Sequence, residues 1–224
     1  MISSAPPLPP GSVDLARCRF AVVDVETTGA RVDRGGRIIE VAVAILEEGT
    51  VHLAYETVLD PGTRIPSWVT RLTGITERDV VGRPRFQDVA TDLWRALEDG
   101  IFVAHNARFD WHHLVAEWTA AGVSTTPPGL RLCTVRLTRR LIPELRHRGL
   151  DHVSAFFGLE NPARHRAFGD ALTTARVLRA LLGRAAERGV ETLDQLIELY
   201  DRPRHKNEIP AVNSALPTPH SALQ

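Results

Sequence analysis

Lysine is nearly missing from this 224-residue chain: Lys206 is the only one, and arginine carries almost all of the positive charge. Guanidinium forks suit bidentate phosphate contacts, and a biased genome composition would leave the same signature. Net charge is missing too. Lys+Arg and Asp+Glu stand at 27 each, so no global basic field draws the protein onto nucleic acid, and any such binding has to be local. Cysteine is scarce. Cys18 and Cys133 form no C-x-x-C, which argues against a cysteine-held zinc and points to a reduced, cytoplasmic setting. No apolar run approaches membrane-spanning length, and Met1 to Gly11 has prolines where a signal peptide needs an apolar core. Nor does the composition break anywhere in the middle of the chain. With 43% hydrophobic residues, the expectation is one domain over residues 18–200, a mobile proline-rich arm over 1–17 and a flexible proline-containing tail over 201–224.

What is present organises itself around Phe20-Ala21-Val22-Val23-Asp24-Val25-Glu26-Thr27-Thr28-Gly29. The apolar, β-branched start suits a strand buried on both faces. Period-two alternation then puts Asp24 and Glu26 on one face at its carboxyl end, where their charges repel unless a cation holds them. Arg37–Leu46 and Val51–Leu59 read as the next two strands, joined by a hairpin turn at 47–50, so the sheet begins antiparallel. A short helix is expected at Pro66–Leu72, and Thr76-Glu77-Arg78-Asp79 has the capping-box pattern. Three-and-four spacing of Phe86, Val89, Ala90, Leu93, Trp94 and Leu97 marks a longer helix, with Trp94 in the core. Ile101–Ala104 is a short buried strand, followed by a helix around Trp111–Trp118 and a last strand near Leu130–Cys133. Helices are expected at 134–141, 150–157, 168–183 and 191–200. Strands first, then alternation, then helices imply an α/β fold: a mixed sheet of three antiparallel strands with parallel additions, flanked by helices.

Two further stretches carry chemistry. His105-Asn106-Ala107-Arg108-Phe109-Asp110 lies where strand 101–104 gives way to helix, so Asp110 shares the carboxyl edge of the sheet with Asp24 and Glu26. His165-Arg166-Ala167-Phe168-Gly169-Asp170 introduces the next well-marked helix, placing Asp170 in its first turn and His165 in the loop before it. Each acid alone is explained by a strand end or a helix dipole. Together they supply four carboxylates and an imidazole for one point.

In that order and at those separations, Asp24-x-Glu26, His105-Asn106-Ala107-x-Phe109-Asp110 and His165-x4-Asp170 resemble the three exonuclease motifs of the DEDDh superfamily. Thr27-Thr28-Gly29, Arg37-Ile38-Ile39-Glu40 and Leu72-Thr73-Gly74-Ile75-Thr76 resemble its DnaQ-type branch, the proofreading subunit of bacterial replicative polymerase and its stand-alone relatives. The resemblance covers about Phe20 to Leu182 and implies a ribonuclease H-like fold. It also implies that the backbone around Thr27 and Thr28 holds the terminal 3′-hydroxyl, while Leu72, Ile75 and Phe109 pack around the last base.

Phosphodiester hydrolysis needs a deprotonated water, neutralisation of the phosphorane and stabilisation of the leaving alkoxide, which two cations roughly 3.5–4 Å apart supply. The assignment is Asp24, Glu26, Asp110 and Asp170 as ligands of two Mg2+ or Mn2+ ions, with His165 as general base. Three functions stay open: a 3′→5′ exonuclease on single-stranded DNA 3′ ends, a ribonuclease T-like or oligoribonuclease-like enzyme on RNA ends, and a scaffold that cleaves little. A DNA polymerase subunit is the partner envisaged for the tail, and a homodimer is compatible. Arg136, Arg139 and Arg140 share a helical face that could follow phosphates or simply be solvated.

Overall fold

The run from Phe20 becomes the central strand of a five-stranded sheet. A computed structural model describes residues 13–123 and 129–202. Its strands are β1 (Phe20–Thr27), β2 (Ile38–Glu47), β3 (Thr50–Val58), β4 (Ile101–Ala104) and β5 (Arg131–Cys133), in the order β3-β2-β1-β4-β5. β3, β2 and β1 are antiparallel neighbours, whereas β4 runs parallel to β1 and β5 parallel to β4. The expected mixed sheet is therefore the observed one. β2 is buried from Ile38 to Leu46, as a strand covered on both faces must be, while β3 at the edge alternates between exposed and half-buried residues.

The helices are α1 (Ser67–Thr73), α2 (Glu77–Val80), α3 (Phe86–Leu97), α4 (Ala107–Ala120), α5 (Thr134–Leu141), α6 (Leu150–Phe156), α7 (Ala167–Ala186) and α8 (Leu193–Asp201). The pleat of β1 divides the core between them. Ala21, Val23 and Val25 pack with α3 and α4 on one face, where Trp118 meets Trp94 edge-on at 5.4 Å and Phe86 at 5.9 Å. Full burial of an aliphatic or Phe side chain in these cores contributes roughly 1.5–3 kcal/mol. Phe20 and Val22 pack on the other face against Ala171, Ala175 and Leu178 of α7, which lies across β1, β2 and β3. Small residues on that side of α7 let it approach the sheet closely.

Residues 13–17, expected to belong to the arm, are paired with the start of α8. The Leu15 amide donates to Glu191 O (2.8 Å), the Leu193 amide donates to Val13 O (2.9 Å), and Leu15 is buried. A short bridge between Asp14 and Thr192 thus ties Val13–Arg17 to the start of α8. The rest of that arm, and the tail from 203, lie outside the described residues.

Two glycines hold the backbone near the acids in place. A Cβ on Gly36 would come within 2.6 Å of Gly29 O, so the turn after β1 closes only on a bare backbone. At Gly169 it would come within 2.3 Å of Ala163 O, and any side chain there would push the 161–165 loop away from α7.

Candidate active site

At its carboxyl end β1 delivers Asp24 and Glu26 to the face covered by α7, and a register shift at Glu26/Thr27 ends regular pairing with β2 beside them. Asp110, in the first turn of α4, reaches the same edge and takes the Val25 amide at 3.3 Å on Oδ1. Asp170 stands in the first turn of α7; its Oδ1 accepts from the Asn161 amide group and its Oδ2 from the His165 backbone N–H at 3.2 Å. His165 adopts φ 59°, in the left-handed region, immediately before that helix. One ligating atom each from Glu26, His165 and Asp170 lies within 4.8 Å of the other two.

Electrostatically the cluster is uncomfortable. Burial, followed by Asp110, Asp170, Glu26 and Glu40, holds Asp24 well above the ordinary aspartate range. Burial and then Asp170 push Glu26 up to about 8, burial alone carries Asp110 to about 8, and burial raises Asp170. Asp110 Oδ2 is buried with no hydrogen-bond partner among the described residues. A buried carboxylate oxygen without a partner, on an acid whose charge is felt by Asp24 and Glu26, is what a hard cation with oxygen ligands would satisfy, so this donor set fits divalent metal.

A family description of exonucleases of the RNase T type matches residues 21–178. The chain belongs to this exonuclease family. The exonuclease domain is 33% identical over 181 residues to the 3′-5′ exonuclease DinG of Bacillus subtilis, covering 81% of this chain and 19% of that protein. It is 31% identical over 163 residues to the DNA polymerase III subunit epsilon of Aquifex aeolicus, covering 73% of this chain and 80% of the relative. Other curated relatives are much longer: the match spans 30% of a bifunctional exonuclease/endonuclease of Mycobacterium tuberculosis and 11% of a PolC-type DNA polymerase III of Clostridium perfringens. Among solved structures, the nuclease domain of 3′hExo, a DEDDh family member bound to rAMP, superposes with a TM-score of 0.66 at 17% identity, over 78% of this chain and 96% of that one. The resemblance to DnaQ-like DEDDh exonucleases holds, and with it the ribonuclease H-like fold.

The residues around the acids of this exonuclease domain divide into those left open and those already engaged. Thr27 and Thr28 are buried; Thr27 Oγ1 donates to Gly29 O at 3.0 Å. Thr28 N–H donates to Arg37 O at 2.8 Å, so that amide is not free for a 3′-hydroxyl. Ile75, expected beside the last base, is core: it is buried with Ile39, Ile65, Val69 and Val80. Leu72 in the same segment is 46% exposed, and Trp68, one helical turn earlier, is 47% exposed. Phe109 is half-buried and packs at 4.4 Å against His113. A cleft of about 780 Å³ opens beside it, lined by the 30–33 turn, Asn106, Arg108, Phe109, His112 and His113.

Other polar residues are engaged in holding the fold around the acids. His113 places Nδ1 3.0 Å from Phe109 O and Nε2 3.1 Å from Gly29 O, tying the turn after β1 to α4. His105 sets Nδ1 2.8 Å from Thr134 Oγ1 and Nε2 2.9 Å from Arg148 O; burial pushes its pKa down to about 4, so it is a neutral strut at pH 7. Arg37 grips buried Glu117 through Nε and Nη2 at 2.8 Å each, joining β2 to α4. Glu40 on β2 is buried, stands opposite Glu26 in the strand register, and is gripped by Arg166. Arg136 is drawn to α8 through Asp201 (2.9 Å) and the Tyr200 ring (4.1 Å), and Arg140 donates to Arg202 O, so neither simply tracks phosphates.

Proposed function

We propose that this domain is a metal-dependent 3′→5′ exonuclease that releases nucleoside monophosphates from the 3′ ends of single-stranded DNA. The observation that carries the reading is the convergence of four carboxylates from β1, α4 and α7 with an imidazole, in a site where burial keeps the acids from ionising freely. Asp24, Glu26, Asp110 and Asp170 would hold two Mg2+ or Mn2+ ions. When bound, such ions neutralise phosphate charge and make water acidic enough to attack at neutral pH. His165 would accept the proton of that water on its imidazole, the role its placement beside Glu26 and Asp170 supports. Leu72 and Phe109, both partly open, would flank the terminal base, and Trp68 beside Leu72 would stack on the next one.

The names of the relatives, a 3′-5′ exonuclease and a DNA polymerase III subunit, favour DNA. The rAMP bound to the nuclease domain of 3′hExo favours the second reading, an exoribonuclease. Association with a polymerase through residues 201–224 belongs to the DNA reading. Matched 5′-labelled single-stranded DNA and RNA, incubated with the purified protein in Mg2+, Mn2+ and EDTA, test all of this. A metal-dependent ladder shortening from the 3′ end is expected, faster on DNA. A faster RNA ladder selects the second reading, and no ladder from folded protein leaves the scaffold.

A further inference from the structure

We infer that Glu40 and Arg166 are a positioning pair for the site, aiming His165 and offsetting the charge of a fifth carboxylate beside the cluster; this rests on the exonuclease reading above. In the antiparallel register Glu40 is the direct partner of Glu26, and directly opposed side chains share a face of the sheet. Left alone, Glu40 would be one more negative charge beside Glu26. Instead both of its oxygens are used. Arg166 Nε donates to Oε1 at 3.0 Å and to Oε2 at 3.2 Å, Nη2 donates to Oε1 at 2.6 Å, and the Ala167 amide donates to Oε2 at 2.7 Å. Bidentate pairing of this kind fixes direction as well as charge.

The second consequence is geometric. Arg166 is the N-cap residue of α7 and makes no side-chain cap of its own. Glu40 supplies the missing acceptor from another element, so the first turn of α7, which carries Asp170, is pinned to β2. His165, directly before Arg166, keeps a left-handed backbone that is uncommon for a residue with a Cβ. Arg166 holds it from the following residue, and the His165 amide is held by Asp170 Oδ2. Freeing Arg166 therefore frees the imidazole while leaving every proposed metal ligand in the chain. Charge and aim are two separable functions of one ion pair.

The test uses the full chain, with Mn2+ binding followed by calorimetry without substrate, and steady-state kinetics on a single-stranded oligonucleotide. Arg166→Ala leaves Glu40 as an unpaired anion beside Glu26 and should tighten Mn2+ binding; Glu40→Gln leaves an unpaired cation and should weaken it. Each shift is expected to be about tenfold, the lower end of what loss of a group behind a metal ligand does. Arg166→Lys keeps the charge but not the fork, so Mn2+ affinity should stay at the wild-type level. In all three, kcat should fall by about 10- to 100-fold, the effect of a displaced catalytic group, with KM within about threefold. Equal Mn2+ affinity in Arg166→Ala and Glu40→Gln, or wild-type kcat in both, overturns the proposal. Loss of the folded circular dichroism signal in both Glu40→Gln and Arg166→Lys also overturns it, because the pair would then be holding the fold rather than the site. If the wild type shortens no oligonucleotide, the exonuclease reading fails, while opposed Mn2+ shifts still establish the charge role of the pair.

Discussion

Replacing Glu26 with glutamine should make the metal-free protein more stable, and more so at pH 7 than at pH 5. Glu26 is held up to about 8 against an ordinary 4.5, by burial first, then Asp170, Glu40 and Asp110, with Arg166 pulling the other way. An acid raised in this way costs nothing below its unfolded pKa. As pH climbs through the window from 4.5 to about 8, the unfolded chain releases a proton that the folded one retains, and stability is lost. The cost is about 1 kcal/mol at pH 5 and about 3 kcal/mol at pH 7, from 1.36 kcal/mol per unit. Glutamine removes the cost, and 1 kcal/mol moves the Tm of a domain this size by roughly 2–4 °C. In EDTA, Glu26→Gln should then melt up to about 6–12 °C higher than wild type at pH 7 and about 2–4 °C higher at pH 5. Saturating Mn2+ should reverse the order by stabilising the wild type more. Equal gains at the two pH values, or a lower Tm for the variant at pH 7 in EDTA, would refute the claim that burial sets the state of this acid.

Two other outcomes follow from the same geometry. His165→Ala should lose about 10²–10⁴-fold in single-turnover rate while still binding Mn2+ by calorimetry; undiminished turnover would remove His165 as the base. Trp68→Ala should raise KM for single-stranded DNA about fivefold or more, since a stacked base is worth roughly 1–3 kcal/mol, with kcat unchanged; an unaltered KM would leave Trp68 outside the substrate path.

Local pattern was enough for most elements because the helices and strands carry their periodicity openly: strand Ile101–Ala104 and helix Thr134–Leu141 stand where their apolar residues placed them. The acids could be grouped because Asp24 and Glu26 share a pleat face and Asp110 and Asp170 each fall in a helix's first turn. Other features depend on tertiary register, which no local pattern carries. Glu40 and Arg166 are 126 residues apart, and their meeting follows from how β2 aligns with β1 and where α7 starts. Leu72 and Ile75 are equally apolar; only the docking of α1 and of the turn after it decides that Leu72 is exposed and Ile75 buried. Val13–Arg17 follows prolines and looks like more arm, but its anchor is backbone pairing around Glu191–Leu193, to which side-chain types are blind.

The route of α7 across β1, β2 and β3 makes the centre a late and indivisible product of synthesis. The acids on β1 leave the ribosome long before Asp170, and until α7 docks they are neighbours without the third element that completes the cluster. A nascent or clipped chain ending before Ala167 would carry two of the three motifs and should cut nothing. Activity in this domain thereby requires the complete fold, with α7 docked on the sheet.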